Sequence, residues 1–268
     1  MRLLMRVIIT RPQAEAAPWL KALDAAGYTS WSLPLIDIRP AAQSAHVESA
    51  WSRLSDFDAV MFVSRNAVHY FFEGKAAVAP VFTAQAAIET RAFVTGPGSY
   101  SALQRVGAEP GFVDAPDFHA GQFDSEALWA VVRSRVTPGY RVLIVRGSTI
   151  DEGASDEGSG RDWFALQVMD AGGEVEFVVS YERQRPQWDA STIAQAQAAA
   201  TDGTVWVFSS SEAIRNLQHA CPGVSWAQAQ AVVTHARIGD AAREAGFGRV
   251  RESKPLLPAL MASIESLQ

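Results

Sequence analysis

At 268 residues, with 48% hydrophobic and 19% charged side chains, the sequence has the composition of a soluble globular protein and enough apolar material for two cores. Its 23 basic against 29 acidic residues leave a net charge of −6, which argues against a general nucleic-acid surface, so an anionic ligand must be held by local geometry. The single Cys221 excludes an internal disulfide, no apolar run is long enough to span a bilayer, and residues 1–5 are too short for a signal-peptide core; the expected location is cytoplasmic.

In chain order, Val7-Ile8-Ile9 is a β-branched run followed by Thr10-Arg11-Pro12, and Pro12 suits the first turn of a helix predicted over 13–26. Trp19, Leu20 and Leu23 share one face of that helix, and Gly27 closes it. A strand is expected at 31–35, continued by Ile36-Asp37-Ile38-Arg39-Pro40, where Pro40 argues for an edge or a linker. A helix over 44–54 precedes a buried-type strand over 58–63, which ends at Ser64-Arg65-Asn66 before a helix from 67 to 72. Residues 74–87 carry no clear pattern. A strand at 91–95, a short strand at 109–115, a loop at 116–123 and a helix from 124 to about 135 follow. The strand at 141–145 leads to Arg146-Gly147. Residues 148–160, rich in Gly, Ser and acidic side chains, read as a mobile loop, and the acidic stretch 151–162 as a solvated insert facing away from any ligand. A helix at 161–171, an extended run at 175–185 carrying Tyr181, and a helix at 190–200 come next. The strand at 204–208 runs into Ser209-Ser210-Ser211 and a further helix. A strand at 231–233, a short strand at 249–252 and a helix at 256–267 complete the chain.

Two turns organise these elements. Val94-Thr95-Gly96-Pro97-Gly98-Ser99 leads through a helix to Gly107, and Val233-Thr234-His235-Ala236-Arg237-Ile238 leads through another to Gly246 without a gap. Gly96 and Gly98 let the backbone approach a ligand closely, and Ser99 is placed to cap the helix. Unpaired N–H groups at a helix start favour an anion. Phe62-Val63-Ser64-Arg65-Asn66-Ala67-Val68 is likewise echoed by Phe208-Ser209-Ser210-Ser211-Glu212-Ala213-Ile214, and the segment 7–40 by 142–186. Alternating strands and helices predict parallel α/β sheets, and the repeat predicts two similar domains. Ligands of such sheets bind beyond the carboxyl ends of the strands, where Arg11, Ser64, Gly96, Arg146, Ser210 and Thr234 fall; the expected site is a cleft between the domains.

The segments Thr10-Arg11-Pro12, Phe62 to Val68, Gly96-Pro97-Gly98-Ser99 before Ala102-Leu103, Leu143-Ile144-Val145-Arg146-Gly147, Val179-Ser180-Tyr181-Glu182-Arg183 and Phe208-Ser209-Ser210 together resemble the uroporphyrinogen-III synthase family over nearly the whole chain. The resemblance implies two α/β domains joined by linker strands at about 34–40 and 180–186. One domain holds 1–36 and 184–268, the other 37–183. It implies dehydration and cyclisation of hydroxymethylbilane to uroporphyrinogen III with the last ring inverted, a monomer, and no cofactor, metal, nucleic acid or membrane. It marks Tyr181 as the proton donor to the leaving hydroxyl. A substrate with eight carboxylates suits many backbone donors, so the expected binding residues are Arg11, Ser64, Arg65, Asn66, Gly96, Pro97, Gly98, Ser99, Arg146, Gly147, Ser209, Ser210, Ser211, Thr234, His235 and Arg237. The same serines and threonine could merely cap helices, Arg11 and Arg146 could merely steady their turns, and Tyr181 could simply pack. In the second turn His235-Ala236-Arg237 replaces Gly-Pro-Gly and Ile238 stands for Ser99, which removes a hydroxyl and adds a cation. A non-catalytic two-domain anion binder or sensor is the competing class. A phosphate-binding transferase is weakened by the lack of a P-loop or a full Gly-x-Gly-x-x-Gly segment.

Overall fold

Short runs of Val, Ile and Phe pair side by side, and each helix between them returns the chain for the next parallel strand, which a tight hairpin cannot do. The computed structural model describes residues 5–73, 81–84, 89–118, 123–150 and 162–267. Two compact units result: Met1–Asp37 with Gln184–Gln268 (unit 1), and Ile38–Arg183 (unit 2).

The chain begins in unit 1 with β1 (Arg6–Ile9), α1 (Gln13–Ala25) and β2 (Thr29–Ser32). It continues with β3 (Asp37–Pro40), α2 (Ser44–Ser52), β4 (Ala59–Phe62), α3 (Arg65–Phe72), β5 (Arg91–Val94), α4 (Pro97–Arg105), β6 (Val113–Asp114), α5 (Ser125–Val132), β7 (Arg141–Thr149), α6 (Trp163–Asp170) and β8 (Glu174–Gln184). Unit 1 resumes with α7 (Ala190–Ala198), β9 (Val205–Phe208), α8 (Ser211–Ala220), β10 (Gln230–Val233), α9 (Ala236–Glu244), β11 (Arg249–Glu252) and α10 (Leu257–Glu265).

Unit 1 has the sheet order β11-β10-β9-β1-β2, every pair parallel. Val7, Ile9, Val205, Val207 and Val232 point to one face, where Leu23 of α1 and Leu260 and Ile264 of α10 cover them. On the other face Trp206, Phe208, Trp226 and Phe247 form an aromatic cluster. Unit 2 has the order β3-β8-β7-β4-β5-β6. Val60, Phe62, Val94, Leu143 and Val145 pack with α3 and α4, whereas Ala59, Met61, Phe93, Val142 and Ile144 pack with α5 and α6. This is the period-2 alternation of strands buried on both faces.

The two sheets share one order when β4 is matched with β9, β5 with β10, β6 with β11, β7 with β1 and β8 with β2. In each, the order reverses beside the matched first strand, between β4 and β7 or between β9 and β1, which makes that point the switch of an open α/β sheet.

Four elements differ from the sequence-based expectation. The strand expected at 31–35 lies at Thr29–Ser32, because β1 offers only four paired positions there. The strand expected at 109–115 shrinks to Val113–Asp114 behind a single 3₁₀ turn at Pro110–Phe112, since Pro110 has no N–H for a ladder. Ser148 and Thr149, expected in a loop, are buried in β7, which β8 accompanies to the end. Helix α3 begins at Arg65 rather than 67, because Ser64 caps it. The expected acidic insert 151–161 and most of the unassigned stretch 74–87 lie outside the described residues.

Candidate active site

At the switch point of unit 2, Ser64 follows β4 in extended backbone and caps α3: its Oγ accepts from the Ala67 amide at 3.1 Å. The same Oγ lies 3.1 Å from Tyr181 Oη. Tyr181 comes from β8 and is buried at 4% exposure. Its position depends on an irregularity: Arg146 pairs with Val179, but Gly147 pairs with Tyr181, so Ser180 is an extra residue in β8. A bulge of this kind re-aims the side chain that follows it. Tyr181 thereby joins Val178 in the α3 face of the core, although the two are three positions apart. Gly147 makes the room. A Cβ there would stand 2.9 Å from Tyr181 Cε1 and closer still to Cζ, which no side chain tolerates. Tyr70 stacks on the Tyr181 ring with centroids 6.1 Å apart and planes 22° from parallel, and its own hydroxyl donates to the Ile38 carbonyl at 3.0 Å. A phenol so held has its oxygen fixed in place, and either it or the Ser64 hydroxyl donates in the contact between them.

The strand-end arginine of β7 is also buried. Arg146 lies over the Phe177 ring at 3.9 Å and donates from Nη1 to Asp162 Oδ1 at 2.6 Å. Asp162, expected to face solvent with the rest of the acidic stretch, is exposed as expected and also reaches Arg146. Arg146 borders a cavity of about 240 Å³ whose walls include Met61, Val63, Phe123, Ile144, Phe164 and Phe177.

The start of α4 has Gly96 as its cap and Pro97 as its first residue, with no side-chain cap. Ser99, expected to cap this helix, is buried inside its first turn. The missing Cβ of Gly98 leaves space for Arg65: the guanidinium Nη2 is 3.3 Å from where that Cβ would be. Arg65 is exposed at the first position of α3, and Asn66 beside it is half-buried.

Unit 1 places its expected residues at matching points. Ser210 caps α8 through a bond from the Glu212 amide at 3.1 Å, with Ser209 and Ser211 half-buried on either side. His235 stands where Gly96 stands and caps α9, its Nδ1 accepting from the Arg237 amide at 3.2 Å. Thr234 is half-buried, Arg237 is exposed, and Ile238 is buried as Ser99 is. Arg11 lies 4.3 Å over the Trp19 ring and reaches Glu15 at 3.4 Å.

The groups with displaced pKa values lie away from the Ser64–Tyr181 pair. Burial, and then the charge of Asp58, pushes the Tyr140 phenol up to about 12, at the opposite end of β7. Burial pushes the Cys221 thiol up. The bond from Arg53 holds Glu176 below the usual carboxylate range. Among the described residues no group of three His, Cys, Asp or Glu side chains could hold a metal ion, and no helix is long and apolar enough to cross a membrane. The bulge at Ser180 and the Asp162 bond were missed by sequence reasoning; a Gly directly after a strand-end Arg was the one signal of the first.

A mutant uroporphyrinogen III synthase from the extremely thermophilic bacterium Thermus thermophilus matches with a TM-score of 0.57 at 14% identity, over 98% of either chain. Uroporphyrinogen-III synthetase from Helicobacter pylori matches with a TM-score of 0.54 at 15% identity, over 98% of this chain and 100% of the other. At such identities the likeness is one of fold. The sequence model described as Uroporphyrinogen-III synthase HemD matches residues 17–262, from within α1 to within α10. With most of both units inside that match, the chain belongs to the uroporphyrinogen-III synthase family, enzymes of tetrapyrrole biosynthesis.

Proposed function

We propose that the chain is a carbon–oxygen lyase that removes water from hydroxymethylbilane and closes it to uroporphyrinogen III, inverting the last ring, as a cytoplasmic monomer without cofactor or metal. The observation that carries this reading is the buried Tyr181 hydroxyl, held 3.1 Å from Ser64 Oγ at the carboxyl ends of β4 and β8. Tyr181 gives its proton to the substrate hydroxyl, which leaves as water, and the remaining azafulvene-type carbon is electrophilic. The α-carbon of the terminal pyrrole that already bears the bridging methylene attacks that carbon, and its old bond to the methylene then breaks to leave a second azafulvene-type carbon. The free α-carbon of the now inverted ring closes on it, and the proton released as the pyrrole is restored returns to the phenolate. The step is redox-neutral.

The bilane closes unaided to the type I isomer, so the work of the protein is to fix which carbon attacks. The bare start of α4 at Gly96, Pro97 and Gly98 with Arg65, and in unit 1 the starts of α8 and α9 at Ser210, His235 and Arg237, are proposed to take the substrate carboxylates, because aligned amides and guanidinium groups both favour them. Incubation with freshly made hydroxymethylbilane and analysis of the product isomers tests the activity. Type III as the main product is expected; type I alone rejects it.

A further inference from the structure

Asp162 is in an unusual position. It is the N-cap residue of α6, where a carboxylate ordinarily accepts from a first-turn amide, yet it makes no such bond. Its Oδ1 goes to Arg146 Nη1 at 2.6 Å instead, while the carboxylate stays half open to solvent at 56% exposure. Arg146 by contrast is 5% exposed and borders the cavity described above. The walls of that cavity are mainly apolar, and two of them, Val63 and Phe123, remain uncovered at 36% and 45% exposure. Pockets that enclose drug-sized ligands run to roughly 300–1,000 Å³. A volume of about 240 Å³ therefore suits one ring and not four. Six apolar side chains, the hydroxyls of Thr95 and Ser125, an Asp124 carboxylate that accepts from the Ala127 amide, and the buried Arg146 stacked on Phe177 line the cavity, so Arg146 is the group there that attracts the carboxylate of a flat aromatic ring.

We propose that this cavity is a subsite for a single carboxylate-bearing pyrrole ring, and that Asp162 is an internal competitor that holds Arg146 until the carboxylate of the ring displaces it. The inference rests on the proposed activity for the identity of the ring, and goes beyond it in assigning the place and the exchange. Arg146 loses no pairing when the exchange occurs: one carboxylate replaces another, and the freed Asp162 carboxylate turns to water or to the amides at the start of α6. The charge of Asp162 thus weakens binding of the ring carboxylate.

The test uses pyrrole-3-propionate, one ring with one carboxylate and no other charge, titrated into the full chain and into Asp162→Asn and Arg146→Gln. Binding to Asp162→Asn should be about threefold to tenfold tighter than to the wild type, and Arg146→Gln should lose it. In the wild type the ring protons of Phe164 and Phe177 should shift on binding, and so should the carboxyl carbon of Asp162 as it leaves Arg146; this readout needs no variant. Equal affinity in the wild type and Asp162→Asn, or shifts that miss Phe164, Phe177 and Asp162, overturns the proposal. With hydroxymethylbilane, Asp162→Asn should lower KM by a similar factor at unchanged kcat. Type III product formed at unchanged KM sinks the competitor alone. A wild type that makes no type III product but binds the pyrrole acid in this cavity sinks the proposed activity and leaves the carboxylate subsite standing.

Discussion

The two units repeat one sheet order, and they part company at the carboxyl ends of corresponding strands. Both set a strand-end guanidinium over an aromatic ring beside a carboxylate: Arg146 on Phe177 with Asp162, and Arg11 on Trp19 with Glu15. Both follow the first strand of the switch with a serine cap, Ser64 or Ser210. Only unit 2 carries its ladder further. The β1–β2 pairing stops after four residues, whereas β7–β8 continues past a bulge that brings Tyr181 onto Ser64. A shared scaffold thus supplies anion-favouring helix starts twice, and the added stretch of paired strand places the proposed proton donor, Tyr181, once.

That asymmetry can be broken at several points. The largest effect is expected for Tyr181→Phe, which keeps the buried ring and deletes the donor: kcat should fall about 100-fold or more, read in single-turnover experiments. Near-normal turnover would return Tyr181 to a packing role. Next comes Gly147→Ala, whose added methyl meets the Tyr181 ring. It should cost about 1–3 kcal/mol by thermal or denaturant unfolding and lower kcat about tenfold, while Pro12→Ala at the matching place in unit 1 should change kcat by less than about twofold. Smaller still, His235→Ala removes the cap of α9 and should cost about 0.5–1 kcal/mol with kcat retained if, as proposed, unit 1 contributes binding only.

The smallest effect is electrostatic. Glu176 is held below the ordinary carboxylate range, first by the bond from Arg53. A depressed folded pKa contributes stability that is fully present above the unfolded carboxylate value and is lost as pH falls through the lowered one. Both side chains are 39% exposed, so screening limits the contribution to at most about 0.2–1 kcal/mol. Glu176→Gln should flatten the acid limb of the stability curve of unit 2 by that amount, measured by urea unfolding between neutral and acidic pH. An unchanged acid limb would show that the pair contributes nothing.

Much of this was legible in the amino-acid order because capping and sheet propensity are local. The repeat implied equivalent turns, and Ser64 and Ser210 are N-caps there, as their chemistry allowed, while the matched positions Gly96 and His235 take the cap that Ser99 was expected to supply. The α/β class followed from strands buried on both faces. What stayed hidden is set by partners distant in sequence. Ser99 has the chemistry of a cap, but Pro97 starts the helix before it and turns its side chain inward. Ser148 and Thr149 sit in Gly- and Ser-rich sequence that favours a loop, yet β8 offers them a ladder. Asp162 looks like solvated surface until the fold brings Arg146 to it, and the bulge at Ser180 exists only as a mismatch between two strands.

The central claim is that unit 2 holds the chemistry through the Ser64–Tyr181 pair, whereas the matching serine of unit 1 only binds and caps. Ser64→Ala and Ser210→Ala remove the same hydroxyl from equivalent helix starts, and each should cost about 1 kcal/mol of stability. Steady-state kinetics on the two variants side by side is the direct test. The expected result is a kcat about tenfold lower in Ser64→Ala, with Ser210→Ala changing KM alone. Equal losses of kcat in both, or none in Ser64→Ala, would contradict it.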